Sequence, residues 1–408
     1  TQTLTPTLTP TSLDPTTLGR VENFVALGHE SLGARGWNAG LALSYPCAYI
    51  GNRRLSQVAI VDIHDPARPT LVNELHLAPG DQPVELRAVP DLNLLVILNF
   101  LPGRTVLTYD VSDCRHPQPL GALDLGAVPH EFFLWRDPAQ PARLLLYAAM
   151  FYHIQPDLHV VELTDPTHPR RIATWTAADE SASGTLHSLS LSPDGRRAYL
   201  ALWEGGLLVA DTSELAEGKP DPRIHLLREG AGFTPASGVN VHSAVRLAGP
   251  RYVLLTQELY ECPFAGLFIA DIANEAHPQI VGRFELPEND PACTALPQPD
   301  AVFTAHNPLV VHDLIFVTWY GGGLQALDVS DPTQPRRVGL FVPSGEGAAR
   351  ASYVGTYPVQ MWSYPILHEG SLYVSDIQSG LYVLRYTGPG AEALSQIAHA
   401  EGNLSVLP

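Results

Sequence analysis

LQALDVSDPTQPRRVGL, from Leu324 to Leu340, decides the fold, because variants of it recur through most of the 408 residues. Copies read VAIVDIHDPARPTLV from Val58, VLTYDVSDCRHPQPLG from Val106, LHVVELTDPTHPRRIA from Leu158, LLVADTSELAEGKPDPRIH from Leu207 and LFIADIANEAHPQIVG from Leu267. A seventh, LYVLRY from Leu381, is shortened. Each copy opens with a short apolar strand. Asp-Pro and a second proline then forbid further ladder pairing, and another strand follows, so each copy reads as a hairpin. A repeat running through nearly all of the chain favours one closed multi-blade unit over separate domains.

The pattern L-x-I-V-D-V-S-D-P-x-x-P resembles the LVIVD-repeat family of β-propeller proteins over residues 58 to 386. The resemblance implies an all-β, seven-bladed β-propeller with four strands, A to D, per blade. It implies little about function, since propellers host many activities. Blades begin near Trp37, Glu85, His130, His187, His242, His306 and Met361. Residues 20–30, RVENFVALGHE, look like an outer strand D with no blade before it. We expect this N-terminal strand to close the ring by completing the last blade, with the tail around LSQIAH, residues 394–399, left as an edge strand or cap. The propeller then covers residues 20–408, and residues 1–19 form a disordered Thr/Pro-rich segment.

Composition sets the wider limits. With 45% hydrophobic and 16% charged residues the chain can bury a large core, and its 37 prolines and 33 glycines suit many tight turns. A net charge of −18 argues against nucleic acid as a partner. No apolar run is long enough for a transmembrane segment. The Thr/Pro start resembles a mature terminus after signal-peptide removal, so the expected location is extracellular, periplasmic or cell envelope. Four cysteines without C-x-x-C spacing fit an oxidising compartment better than a thiolate zinc site. Four cysteines allow three pairings; the propeller reading brings Cys47 to Cys114 at one face and Cys262 to Cys293 at the other.

In a propeller, strand A lines the central channel and its first residues gather at one mouth. The blade openings read AVPHEFFLW, GTLHSLSLS, VNVHSAVRL and FTAHNPLVV, so four consecutive blades carry a histidine at one point: His130, His187, His242 and His306. Imidazole is the commonest ligand for Zn, Cu, Fe and Ni, which makes this a candidate site for one transition metal ion, copper or iron favoured and zinc possible. In architecture only, it is similar to the all-histidine sites of carotenoid-cleaving iron oxygenases and of the copper-containing selenium-binding and methanethiol oxidase family.

Glu85, opening blade two where a histidine is expected, is the better channel carboxylate. Glu131 follows His130 and on a regular strand points away from it, as a supporting group. The ends of strand B return to the same mouth with Tyr152, Trp203, Tyr260, Trp319 and Tyr320; with Trp37 and Trp362 these are expected to wall an apolar substrate pocket. His153 is the spare polar group there for proton transfer, and Glu85 and His153 are the catalytic candidates. His64, His116, His168 and His277 sit in the Asp-Pro turns and read as solvated. The aspartates Asp62, Asp110, Asp211, Asp271 and Asp328 read as turn-fixing. No nucleophile elbow, phosphate loop or dinucleotide fingerprint is present. The expected function is a metal-dependent oxidoreductase or oxygenase acting on a small apolar substrate. The alternative is a non-catalytic propeller that binds an envelope or extracellular protein.

Overall fold

The computed structural model describes residues 18–100, 103–151, 154–227, 240–297, 300–345 and 351–404. Seven antiparallel sheets stand in a ring, one per blade. In blade order, strand A spans Asn38–Ser44, Pro83–Val89, Pro129–Arg136, Leu186–Leu191, Val241–Arg246, Pro308–Val311 and Ile366–His368. Strand B spans Cys47–Asn52, Leu94–Asn99, Leu144–Met150, Arg197–Leu202, Tyr252–Gln257, Leu314–Thr318 and Ser371–Asp376. The repeat supplies strands C and D, as in the pairing of Leu324–Asp328 with Arg336–Pro343.

The apolar runs explain the layering. LLLYAAM of blade three is buried along its whole length because blades two and four cover its two faces. The core is accordingly a set of wedges between neighbouring blades. Tyr49 and Ile60 pack on Leu86 and Ile97, and Val209 packs near Phe268. The repeat aspartates fix the turns as expected: Asp62, Asp110, Asp211, Asp271 and Asp328 each accept the backbone N–H two residues on. Blade four departs from the pattern, with a helical turn Ser213–Ala216 and a two-residue outer strand His225–Leu226.

The N-terminal strand closes the ring, since Phe24–Glu30 pairs with Gly380–Tyr386 as the outer strand of blade seven. The expected single strand over 20–30 is however two. Leu18–Glu22 pairs with Arg336–Pro343 as a fifth strand on blade six. Asn23 separates them, at φ 54 with its side-chain amide donating to the Val338 carbonyl (2.8 Å). Asparagine tolerates this left-handed conformation, and the chain steps from one blade to the next there.

The tail is an edge strand, but on the axial side. His399–Glu401 pairs with Ile366–His368, the innermost strand of blade seven. Beyond it the chain crosses the channel to blade three, where the Asn403 carbonyl accepts from Leu134 N–H (3.1 Å). Both disulfides pair as expected, Cys47 with Cys114 and Cys262 with Cys293. No helix among the described residues is long and apolar enough to cross a membrane.

Candidate metal centre

The histidines reach the channel through one repeated irregularity. At the start of strand A the register slips between Pro129 and Glu131, Leu186 and Ser188, and Val241 and Ser243, so that one extra residue is inserted in each. That residue is His130, His187 or His242. Blade six does the same without a regular strand: His306 N–H donates to Thr318 O, and Thr318 N–H donates to Asn307 O. A bulge of this kind re-aims side chains and lets two successive residues face one side. In blade two the slip falls between Pro83 and Glu85. Val84 therefore holds the histidine position, and Glu85 aligns with Glu131, Ser188 and Ser243. This corrects the expectation that Glu85 replaces a histidine and that Glu131 points away; His130 and Glu131 both line the cavity.

The imidazoles form an arc, with ring centroids 4.3 Å apart from His130 to His187, 4.3 Å from His187 to His242 and 4.1 Å from His242 to His306. His187, His242 and His306 are buried and His130 is partly so. Three are oriented through Nδ1. His187 Nδ1 donates to the His242 carbonyl (3.2 Å), His306 Nδ1 donates to the Trp362 carbonyl (2.8 Å), and His242 Nδ1 meets Ser243 Oγ (2.7 Å). With Nδ1 donating, Nε2 of His187 and of His306 is the ring nitrogen left for a ligand, the orientation a metal requires. His187 Nε2 lies 2.8 Å from His130 Nε2. His242 Nε2 lies 3.5 Å from Glu131 Oε1, and His306 Nε2 lies 3.3 Å from Glu258 Oε1.

Among the described residues two sets of ligand atoms fall mutually within 4.8 Å, His130 with Glu131 and His187, and His187 with His242 and Glu258; His306 belongs to neither. Imidazole with carboxylate suits zinc, copper and iron, so the residues fit such an ion. Burial and the neighbouring imidazole push His130 well below the usual histidine range, and burial pushes His187 down to about 4. Both are neutral near pH 7 and ready to ligate. Burial, reinforced by Glu85, raises Glu131 to about 8, and Tyr364 donates to its Oε2 (3.1 Å). Burial acts the same way on Glu258, but His306, His187 and the Tyr320 hydroxyl outweigh it and hold this carboxyl at about 2. Tyr260 also donates to Glu258 (2.7 Å).

Above the histidines lies a cavity of about 410 Å³. Of the expected wall residues, Trp37, Trp203, Tyr260 and Trp362 line it, and Trp203 stacks on His187 with centroids 4.6 Å apart. Tyr320 stands behind, its ring 4.9 Å from His306 and its hydroxyl donating to Glu258. Trp319 does not belong. It is fully buried against Phe284 in the wedge between blades five and six, because consecutive residues at the end of the strand turn to opposite sides. Tyr152 and His153 lie outside the described residues. The turn histidines His64, His116 and His168 are exposed, as expected.

Sequence reading missed Arg53 and Glu258. Both occupy the position directly after strand B, where Phe100, Phe151 and Trp203 also stand, so comparing that one position across blades would have found them. It also missed the buried ionic set that backs Glu85 at the cavity wall. Glu85 pairs with Arg87 (2.9 Å), and Arg87 pairs with Glu401 of the crossing tail (3.1 Å), all three buried. The Arg87 guanidinium lies over the rings of Phe132 and Tyr364, 5.1 and 5.0 Å from their centroids.

Comparison with known proteins agrees with this architecture. The LVIVD repeat matches residues 41–76, 264–285 and 309–341. These stretches cover blade one, the outer hairpin of blade five, and blade six with its repeat. No curated protein matches the chain. Among solved structures it is similar to the β-propeller domain of Cps50 (Swd1) from Myceliophteria thermophila, at 12% identity over 89% of this chain and 98% of that one, with a TM-score of 0.56. It is also similar to Sqt1 from Saccharomyces cerevisiae, at 9% identity over 90% and 100% with a TM-score of 0.56. A protein from Lactobacillus plantarum matches at 15% identity over 75% and 86% with a TM-score of 0.52. At such identities the likeness is one of fold. The chain is a seven-bladed β-propeller that carries LVIVD repeats.

Proposed function

We propose that the propeller holds one transition metal ion through His130, His187, His242 and His306 and acts as an oxidoreductase or oxygenase on a small, largely apolar molecule. The observation that carries this reading is the orientation of buried imidazoles: Nδ1 of His187 and of His306 donates to a backbone carbonyl, so Nε2 is the ring nitrogen left for a ligand. In three of the four blades a register bulge brings the ring to the cavity, and blade two has the same slip with Val84 in place of a histidine. The Nδ1 bonds of His187 and His306 fix those two rings in the orientation that backbone carbonyls impose on metal-ligating histidines. Copper or iron bound by this set would supply redox or oxygen chemistry, and zinc would supply a Lewis acid.

The chain's own residues do the rest. Trp37, Trp203 and Trp362 exclude water from the cavity and position an apolar substrate. Glu131, neutral near pH 7 and bonded to Tyr364, holds a proton next to His242. Glu85 keeps one carboxylate oxygen unbonded at the cavity wall while Arg87 holds the other, which equips it to take up a proton. His153 remains a proposed proton carrier on the sequence alone. The two disulfides support an extracellular or envelope location.

Elemental analysis of protein purified without added metal, beside a His187→Ala, His242→Ala double variant, tests the reading. About one equivalent of copper or iron, lost in the variant, is the expected result. Zinc in its place redirects the chemistry to hydrolysis or structure. If neither protein carries metal and neither takes up copper, iron or zinc on reconstitution, the metal reading fails, and a non-catalytic binding platform is the account that remains.

A further inference from the structure

The cavity has charged groups in two conditions. Glu85 is paired with Arg87, and Glu258 is held by His306, Tyr260 and Tyr320. The Arg53 guanidinium forms no salt bridge or hydrogen bond among the described residues, its Nε is buried without a partner, and Glu85 acts on its charge only from beyond contact. It lines the same cavity as the histidines, lying over the rings of Tyr353, Trp362 and Phe100 at 4.7, 4.9 and 5.9 Å from their centroids. A guanidinium fixed by ring stacking keeps its in-plane N–H fork free, the geometry that matches a carboxylate bidentately. A buried arginine that lines a cavity and forms no salt bridge is a site for an anion.

The rest of the cavity restricts what carries that anion. Seven of its sixteen lining residues are aromatic: Trp37, Phe100, Phe151, Trp203, Tyr260, Tyr353 and Trp362. Phe100 lies between the arginine and the histidines, its centroid 5.9 Å from the guanidinium and 6.0 Å from the His130 ring. Arg53 and His130 thus stand no further apart than those two distances together, within reach of a single small molecule. Phe151 flanks His130 at 5.5 Å, and Trp203 covers His187. A volume of about 410 Å³ lies near the low end of ordinary ligand pockets. A cationic ligand is disfavoured, since the protein's own guanidinium already occupies the aromatic faces that would bind it.

We propose that the ligand of this cavity is a small aromatic monocarboxylate, its carboxylate on the Arg53 fork and its ring among Phe100, Phe151 and Trp203, next to His130 and His187. This rests on the reading of the cavity as a substrate site and supplies the class of substrate; the metal itself is not needed for the anion to bind.

Calorimetric titration with cinnamate, cinnamamide, hexanoate and benzyltrimethylammonium tests it, on the protein as purified, on Arg53→Met and Arg53→Lys, and on the His187→Ala, His242→Ala variant. Cinnamate is expected to bind at least tenfold more tightly than the isosteric cinnamamide and more tightly than hexanoate. Arg53→Met should weaken cinnamate at least tenfold and erase its advantage over the amide. Arg53→Lys, which keeps charge but not the fork, should fall between. The histidine variant should retain the cinnamate preference. Cinnamate no tighter than its amide, undetectable binding of cinnamate, or benzyltrimethylammonium as the tightest ligand overturns the proposal. Binding that survives in both arginine variants but vanishes with the histidines overturns the Arg53 assignment and leaves the metal reading intact.

Discussion

Glu131 shows how far one residue departs from what its strand would dictate. Strict alternation would turn it away from His130, yet the bulge places both in the cavity, and burial beside Glu85 raises its carboxyl to about 8 against an ordinary 4.5. The unfolded chain gives up this proton near 4.5 and the folded protein near 8. Glu131 therefore contributes stability that is fully present below the unfolded value and is lost as pH rises through the folded one. His187, lowered to about 4 from 6.5, runs the other way and loses stability as pH falls between those values. Glu131→Gln removes only the first term. In metal-free protein, the stability of this variant relative to wild type should rise between pH 5 and pH 8 by on the order of a few kcal/mol, read from urea unfolding at the two pH values. A difference independent of pH would contradict an acid kept neutral by burial.

The four histidines were legible at this scale because blade register, rather than local spacing, aligns them. The pairing of His130 with Glu131 was not, since a bulge leaves no mark in the residue types on either side. Arg53 and Glu258 were overlooked because the ends of strand B were compared for aromatic residues alone. Trp319 failed for the same reason, as one of two neighbouring aromatics of which only Tyr320 approaches the histidines.

At the scale of elements, the repeat does two jobs. Its aspartates hold the turn, and the turn in turn forms a joint with the neighbouring blade. A Cβ built on Gly28, Gly121 or Gly282, all in outer strands, would lie 2.4, 2.6 and 2.0 Å from the carbonyl oxygens of Pro66, Pro166 and Pro332, each in the next blade's Asp-Pro turn. Glycine at these places is a packing requirement between blades. Gly282→Ala must push the turn of blade six outward, and we expect a loss of about 1–3 kcal/mol in chemical unfolding. A change within about 0.5 kcal/mol, the range of an indifferent surface substitution, would show that the joint yields freely. The hairpins could be read in advance because Asp-Pro and alternation are local signals. The axial strand His399–Glu401 could not, since it belongs to no repeat and its partner is set only once the ring exists.

At the scale of the molecule, closure makes the site. Phe24–Glu30 completes blade seven, and one disulfide ties the start of strand B in blade one to the turn between the outer strands of blade two. The tail crosses beneath and brings Glu401 to Arg87, so a buried ionic set backs Glu85 at the cavity wall. Removing one partner of such a buried set leaves a charge without compensation, which is why the set belongs to the architecture of the site and not to its surface. The topology was readable because one period runs through the chain. The proposed metal centre is what that topology would make of four aligned side chains, and its occupancy is the central claim. The most direct measurement is an anomalous-difference map from crystals of the protein as purified, collected at the copper, iron and zinc edges. The account predicts one peak in contact with Nε2 of His130, His187, His242 and His306, at about 2.0–2.2 Å. A map without a peak in the cavity, from protein that has been offered all three metals, would contradict it.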